Sequence, residues 1–129
     1  MEGKTKTNYI ELKDLEAYKL AREYCKNSWE LYTKLSWQIK KIFGDQMMES
    51  IDSVGANIAE GYGRFHYLDK NKFYYNARGS LVESKHWVEL AFERQIISQQ
   101  KFEQLINLNK QIEIKLNNLI SSQYKRKNQ

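Results

Sequence analysis

The 129-residue chain contains no proline, only six glycines and a single cysteine, Cys25. Proline and glycine interrupt helices and build turns, so their scarcity favours long helices and argues against a loop-rich β fold. A single cysteine excludes an intramolecular disulfide and fits a reducing compartment, so we expect a cytoplasmic protein. Cys25 falls on an apolar helical face without a histidine within helical reach, which predicts a buried and unreactive thiol.

Long apolar runs and histidines are also scarce. No stretch of 18 apolar residues is present and no apolar segment follows the polar N-terminus, so we expect neither a membrane span nor a signal peptide. Glu83 and His86 form half of the motif that di-iron bundles use, but the other histidine, His66, has Gly63 three residues before it. No nucleophile–histidine spacing and no phosphate loop is evident. We therefore predict no catalytic residue, no metal, no cofactor and no enzymatic activity.

Aromatic and basic residues, by contrast, are abundant. The chain has nine Tyr, five Phe and three Trp, and its formal net charge is +5. A monomeric four-helix core cannot easily enclose so many rings, and exposed aromatic patches are typical of interfaces, so we expect self-association. The positive charge permits attraction to nucleic acid or to another acidic surface.

Apolar side chains at spacings of three and four predict four helices, over about 15–35, 45–61, 69–95 and 98–122. Asp14, Asp45, Asp69 and Ser98 are the expected N-caps. Short connections between the helices predict an all-α, antiparallel up-down-up-down bundle. We assign residues 1–13 to a flexible arm, 14–122 to the bundle and 123–129 to a basic tail.

The helical spacing also predicts which side chains face the core. They are Tyr18, Ala21, Cys25, Trp29, Tyr32 and Leu35 in helix 1; Met47, Ile51, Val54 and Ile58 in helix 2; Phe73, Ala77, Ser80 or Leu81, Ser84, Val88 and Ala91 in helix 3; and Phe102, Leu105, Leu108, Ile112, Leu116 and Leu119 in helix 4.

Glycines and a second apolar stretch carry further expectations. Gly61 and Gly63 are expected to end helix 2 with left-handed or unstrained backbone. Gly79, in a run of small residues on helix 3, is expected to let helix 2 approach closely. The connection 36–44 is too apolar for a solvated loop, so it closes the end of the bundle or faces another subunit.

Two groups of polar residues are candidate sites. Asn57, Glu60 and Arg64 follow one another at helical spacing, and they form either a local network that holds helix 2 to helix 3 or a polar network at a subunit interface.

Cations alternate with aromatic residues around the turn between helix 2 and helix 3, a composition that suits single-stranded RNA. The alternative is that the rings pack in the bundle or an interface and the cations are solvated. The predicted RNA-contacting residues are Arg64, Lys70, Lys72, Tyr74, Arg78, Lys125, Arg126 and Lys127.

Two motifs carry a resemblance to a known family. Asn57-Ile58-Ala59-Glu60-Gly61 with Arg64, and Phe73 with Ala77-Arg78-Gly79-Ser80-Leu81 and Glu83, resemble the bacterial 23S rRNA intervening-sequence proteins, a four-helix-bundle family. That family is related to the accessory variability determinant proteins of diversity-generating retroelements.

The resemblance implies a ring-shaped homopentamer and, as partners, RNA or a reverse transcriptase. The chain departs from the family pattern in lacking a proline in 36–44 and in carrying Met48 and Glu49 where arginines are common. We therefore predict a non-catalytic oligomeric binding or scaffold protein that contacts RNA or a nucleic-acid enzyme through a basic-aromatic surface. The alternative is a structural or protein-binding oligomer with no nucleic-acid role.

Overall fold

A computed structural model of the chain describes residues 10–126, Arg126 by its backbone alone. Four long helices form the structure, and they are α1 (Glu16–Tyr32), α2 (Asp45–Tyr62), α3 (Tyr67–Glu93) and α4 (Gln99–Arg126). Across these residues no strand is present, and none of the helices is long and apolar enough to cross a bilayer. α4 continues beyond residue 122, where the basic tail was expected to begin, and Gln123 is buried.

Each helix runs antiparallel to its neighbours. From Tyr32 towards Ala21, α1 contacts α2 at successively higher residue numbers: the Tyr32 hydroxyl donates to Asp45, and Ala21 packs beside Gly55. Similar contacts connect α2 to α3, α3 to α4, and α4 back to α1; they join Ser53 to Ser80, Asn71 to Ile120, and Asn27 to Gln104. The predicted antiparallel four-helix bundle is therefore confirmed.

The predicted core-facing residues are confirmed in α2 and confirmed in part in α3 and α4. The predicted side chains that are fully buried are Met47, Ile51, Val54 and Ile58 in α2; Ala77, Leu81, Ser84, Val88 and Ala91 in α3; and Leu105, Ile112 and Leu116 in α4. Phe73, Leu108 and Leu119 are half-buried, and the next residue along the chain, Tyr74, Asn109 or Ile120, is buried in place of each.

In the predicted stripe of α1, Ala21 is confirmed, and Tyr18, Cys25 and Trp29 are each wrong by one position. The buried residues are Ala17, Ala21, Tyr24 and Ser28, whereas Trp29 is 55% exposed. The cause is close packing against α2, since a Cβ built on Gly55 would lie 3.6 Å from that of Ala21. This close packing turns small residues of α1 towards α2, so the predicted members of the stripe lie at the edge of the interface between the two helices.

The connection between α1 and α2 is helical. Trp37–Ile39 forms a turn of α-helix, and Lys40–Gly44 forms a π-helix that continues into α2. Ser36 is the N-cap, because its Oγ accepts a hydrogen bond from the Ile39 amide at 3.3 Å. The prediction of Asp45 as a cap is wrong, since its carboxylate accepts from the Tyr32 hydroxyl. Phe43 from this segment is buried and closes the bundle end.

The other predicted caps are confirmed in one case of three. The Ser98 hydroxyl accepts from the Lys101 amide at 3.1 Å. Asp14 instead belongs to a short 3-10 turn, Leu12–Asp14, that precedes α1. The cap of α3 is His66, whose Nδ1 accepts from the Leu68 amide at 3.2 Å, and Asp69 lies in the first turn.

Neither glycine at the end of α2 is left-handed: Gly63 has φ −75°, and no described glycine has a positive φ. The residue with a positive φ is Gln95, at 60°, just after α3. The expected role of Gly79 is also wrong, because a Cβ built there would meet nothing within 4 Å. Gly79 therefore lies on the outer surface of α3 and does not contact α2.

Candidate functional site

The end of α2 packs directly on the first turns of α3, and Gly61 makes this possible. A Cβ built on Gly61 would lie 2.6 Å from the ring of Tyr74 and 2.9 Å from the Lys70 carbonyl oxygen. The absence of a side chain at this position lets the two backbones meet and buries the Tyr74 ring, which is 1% exposed. The prediction that Tyr74 contacts RNA is therefore wrong, because its ring lies in the core.

Lys70 is held within the fold at the same junction. Its Nζ donates to the carbonyl oxygen of Tyr62 at 2.9 Å and reaches that of Gly61 at 3.5 Å. An ammonium group here satisfies the last carbonyls of α2 and interacts favourably with the negative end of its dipole. The Lys70 side chain is half-buried, and its charge stabilises the C-terminal end of α2.

Arg78 joins α3 to α4. Its guanidinium donates to the Asn117 amide oxygen at 2.8 Å and lies 4.8 Å from the centre of the Tyr75 ring. Tyr75 and Tyr124 extend the connection through a 3.0 Å bond between their hydroxyls, which raises the pKa of Tyr75. The half-buried Arg78 side chain is thus engaged on both sides.

The three residues predicted as one polar network form two separate contacts. Asn57 donates to the carbonyl and hydroxyl oxygens of Ser53, and the Ser53 hydroxyl bonds to Ser80 of α3 at 2.9 Å. Glu60 pairs with Arg64 at 2.7 Å, with about half of each side chain exposed. An exposed pair of this kind contributes little to stability. Within one chain, Asn57 bonds to Ser53, which joins α2 to α3, and the other two residues lie at the surface.

The turn between α2 and α3 presents an aromatic and cationic surface. Phe65 is 99% exposed and Leu68 is 54% exposed. They are accompanied by three exposed residues, Arg64, His66 and Lys72. We call these five residues the turn surface. Phe65 belongs to the basic-aromatic stretch identified in the sequence but not to its predicted contacts, and its position just after the end of a helix is the signal that distinguishes it from Tyr74.

The basic end of α4 lies near the turn surface. The Tyr124 ring contacts that of Tyr67, at the start of α3, edge-on at 6.4 Å. Lys125 follows and is exposed. Arg126 ends α4, and Lys127 lies outside the described residues. Of the predicted RNA-contacting cations, Arg64, Lys72 and Lys125 are therefore exposed at one end of the bundle.

A second feature lies along α1, where an open groove of about 840 Å³ runs beside α2. Cys25 and Met48 contribute its apolar part, while two aromatic residues, Tyr18 and Trp29, lie along it. Trp29 stacks on Tyr32, outside the groove, with ring centres 5.3 Å apart. Sequence reasoning missed this groove because it placed both aromatic residues in the core.

Cations and carboxylates both border the α1 groove. The cations are Lys13, Lys19, Arg22 and Lys26, and the carboxylates are Glu23 and Asp52. Arg22 donates to the Tyr18 hydroxyl at 2.9 Å, and this bond raises the pKa of the guanidinium. Burial, with a smaller effect of Asp52, raises the pKa of the Cys25 thiol to about 12. A thiol with so high a pKa is a poor nucleophile.

The side chains that could bind a metal ion are dispersed over the described part of the chain. Within 10–126, no three His, Cys, Asp or Glu side chains lie close enough together to hold a metal ion. Glu83 of the half-motif instead accepts a hydrogen bond from the Trp87 indole at 3.1 Å. His86 packs edge-on against Trp87, with the ring centres 4.9 Å apart.

Comparison with known proteins identifies the family of this fold. The family model described as "23S rRNA-intervening sequence protein" matches residues 13–118. A crystal structure of a protein with unknown function from the S23 ribosomal protein family, from Bacteroides thetaiotaomicron VPI-5482, has a similar fold with a TM-score of 0.73 and 21% identity. The match covers 81% of this chain and 98% of that one. No curated protein matches the chain. Because the family model spans most of the sequence, the chain belongs to the 23S rRNA-intervening sequence protein family.

Proposed function

We propose that this protein is a cytoplasmic, non-catalytic scaffold that binds single-stranded RNA, alone or within a complex with a nucleic-acid enzyme, through the turn surface. The observation that carries the proposal is the 99% exposure of Phe65, which follows the exposed Arg64 in the chain. A fully hydrated phenyl ring contributes nothing to the fold of one chain, whereas RNA bases stack on such rings and phosphates pair with neighbouring cations.

Neighbouring residues support the same ligand. His66 stacks on Tyr67 with ring centres 4.8 Å apart, which offers a second flat surface beside Phe65. Arg64 lies over the Phe73 ring at 4.7 Å, so that its guanidinium is oriented by a ring as well as by Glu60. Together with Lys72 and Lys125, these groups give the end of the bundle a positive field, in keeping with the net charge of +5.

The proposal is tested by titrating a labelled single-stranded RNA with the wild-type chain and with Phe65→Ala. Loss of one stacked base weakens binding by about 1–3 kcal/mol, or about 5- to 150-fold in Kd. Ile114→Ala is the matched control, because Ile114 is an exposed apolar residue of α4 outside the turn surface. Binding that is absent at low salt, or equal in the two variants and the wild type, would contradict the proposal.

The proposed assembly is a homo-oligomer, with the ring-shaped pentamer that the family resemblance implies. Exposed apolar side chains outside the turn surface support self-association: Trp37 and Ile42 are each 68% exposed, and Val82 is 65% exposed. Ring assembly requires two different complementary patches on each chain, which such separate surfaces can supply. Light scattering at low and high salt tests it, with the mass of five chains expected and the mass of one chain contradicting it.

The second candidate function is a structural or protein-binding oligomer that makes no contact with RNA. Gly79 favours it, because a glycine with no neighbour within 4 Å lies three residues before the exposed Val82 and leaves room for another helix. A salt-stable oligomer that gains no mass with RNA would support this candidate. A reverse transcriptase reading frame beside the gene would instead favour the retroelement role, and a position within an rRNA gene the intervening-sequence role.

A further inference from the structure

We infer that the α1 groove is a second contact for the same single-stranded RNA, with Trp29 as a stacking platform and Arg22 and Lys26 as phosphate-binding groups. The inference rests on the proposed function, because it extends the path of that ligand from the turn surface along α1. The α1 groove contains none of the residues that the sequence motifs indicate.

The position of the groove is the first support. Since α1 and α2 are antiparallel, the N-terminal half of α1 lies beside the C-terminal half of α2 and hence at the end of the bundle that carries the turn surface. Ala21 packs beside Gly55, and Cys25 lies beside the Ile51 carbonyl. The groove begins at this end with Lys13 and Tyr18 and runs along α1 to Trp29, beside Met48 of α2, so a strand that follows it lies along α1 towards the opposite end of the bundle.

The charge of the groove is the second support. Lys13 and Lys19 already have acidic neighbours, Glu11 and Glu16, at 3.8 and 3.4 Å. Within residues 10–126, no carboxylate oxygen lies within 4.0 Å of the charged nitrogens of Arg22 or Lys26. Two cations on adjacent turns of α1 thus face solvent, and phosphates in a flexible strand can approach both.

The ring of Trp29 is the third support. It is 55% exposed while the neighbouring Tyr32 ring supports it at 5.3 Å with an interplanar angle of 22°. Lys40 in turn lies over Tyr32 at 5.0 Å. An indole that is fixed from one side and open towards a groove is suited to stacking on a base, and such stacking does not require a particular sequence.

Nucleic acid fits these groups better than an acidic peptide does. Glu23 and Asp52 also line the groove, and they repel carboxylates and phosphates alike, so the choice between the two ligands rests on the aromatic and apolar groups of the groove. A nucleic acid presents phosphates at intervals, with flat bases between them that can lie over Trp29 and the apolar floor of Cys25 and Met48. Alternating cations and aromatic rings suit that pattern.

The test uses the full chain and a labelled oligouridylate of about eight nucleotides, a length within the usual site sizes for single strands. Anisotropy measures binding, and tryptophan fluorescence reports contact with the groove. We expect RNA to quench the fluorescence of the wild type and of Trp87→Phe, and to lose most of this effect with Trp29→Phe. Trp87 is the control because it does not line the groove and belongs neither to the turn surface nor to the proposed self-association surface.

The charge is tested with the double variant Arg22→Gln/Lys26→Gln. Removing two phosphate contacts should lower the slope of log K against log salt by about 1.4, given about 0.7 per contact for single strands. Lys85→Gln/Lys110→Gln, which removes two exposed cations of α3 and α4, should leave the slope unchanged.

The outcomes separate this inference from the proposed function. One set of results would overturn the inference about the groove alone. In that case binding falls with Phe65→Ala, RNA quenches the fluorescence of Trp29→Phe as it does that of the wild type, and Arg22→Gln/Lys26→Gln keeps the wild-type salt slope. Binding of polyglutamate instead of RNA, with quenching that depends on Trp29, would also overturn it. The absence of any RNA binding at low salt would overturn the proposed function and this inference together.

Discussion

Among the described glycines, Gly61 is the one at which an added methyl group would meet the most resistance. Its Cβ would lie 2.6 Å from the Tyr74 ring and 2.9 Å from a backbone oxygen of α3, neither of which can move freely. We expect Gly61→Ala to lower the free energy of unfolding by about 1–3 kcal/mol, as overpacking does in other cores. Urea denaturation followed by circular dichroism measures the change.

The matched control is Gly79→Ala, at a helical glycine with no atom within 4 Å. Alanine has the higher helix propensity, so this variant should be more stable by about 1 kcal/mol. Equal stability of the two variants would contradict the close approach at Gly61. Loss of the oligomer in Gly79→Ala would show instead that another chain covers this position.

Cys25 provides a prediction about reactivity and pH. Because burial raises its pKa to about 12, the thiolate is rare at pH 8, and alkylation by iodoacetamide should be on the order of a thousandfold slower than in the unfolded chain. The folded pKa lies above the unfolded one, so folding stability is complete below about pH 9 and falls as the pH rises towards 12. Alkylation followed by mass spectrometry measures the rate, and similar rates in both states would contradict the burial.

At the scale of the helices, α3 is followed by a residue in an unfavourable left-handed backbone conformation, Gln95. Gln95 has φ 60°, while the Gln95 and Ile96 amides donate to the carbonyls of Phe92 and Ala91 at 3.0 and 2.8 Å. This is a Schellman motif, in which glycine is the preferred residue at the left-handed position. Gln95→Gly should therefore stabilise the protein by about 1 kcal/mol.

Thermal and urea unfolding measure this gain, and Gln95→Ala is the control. Alanine keeps the Cβ that makes the left-handed conformation unfavourable, so it should not give the same stabilisation. A glycine variant that is no more stable than the alanine variant would show that the turn tolerates a side chain without cost.

Helix existence could be predicted from the sequence, whereas the orientation of α1 could not. In α2 and α4 large apolar residues such as Ile51 and Leu116 dominate one face, so hydrophobic spacing identifies the buried side. In α1 the larger apolar residues, Cys25 and Trp29, lie at the edge, because Ala21 packs close to Gly55 and Tyr24 satisfies its hydroxyl inside the core. Neither of these two causes is local in sequence.

The same reasoning applies to the candidate site. The sequence indicates that cations and rings gather around the α2–α3 turn, and the fold keeps Arg64 and Lys72 exposed there. It does not indicate which rings are accessible, because the burial of Tyr74 depends on the missing side chain of Gly61 in another helix. The α1 groove was missed for the same reason, since its aromatic residues look like core residues until α1 is placed against α2.

At the scale of the whole molecule, a buried polar cluster joins three of the four helices. The Tyr24 hydroxyl of α1 bonds to Ser84 of α3 at 2.8 Å, and the Asn109 amide of α4 donates to Tyr24 at 3.2 Å. Asn109 also donates to the Leu81 carbonyl at 3.1 Å. Tyr24 is fully buried, and burial is the main cause of its raised pKa. Such a cluster favours one register of the helices over others, because a shifted helix would leave these groups buried and unpaired.

Tyr24→Phe tests this account, because it removes one hydroxyl and leaves the ring in place. We expect a loss of about 1–2 kcal/mol in the free energy of unfolding, since Ser84 and Asn109 keep their bonds to the Leu81 carbonyl. Tyr18→Phe, at a half-buried ring of the same helix, should cost less. In the double variant Tyr24→Phe/Asn109→Leu, the two losses should not add, because the residues share one hydrogen bond. Additive losses would show that each side chain acts alone, and the register of α1 and α4 would then depend on apolar packing.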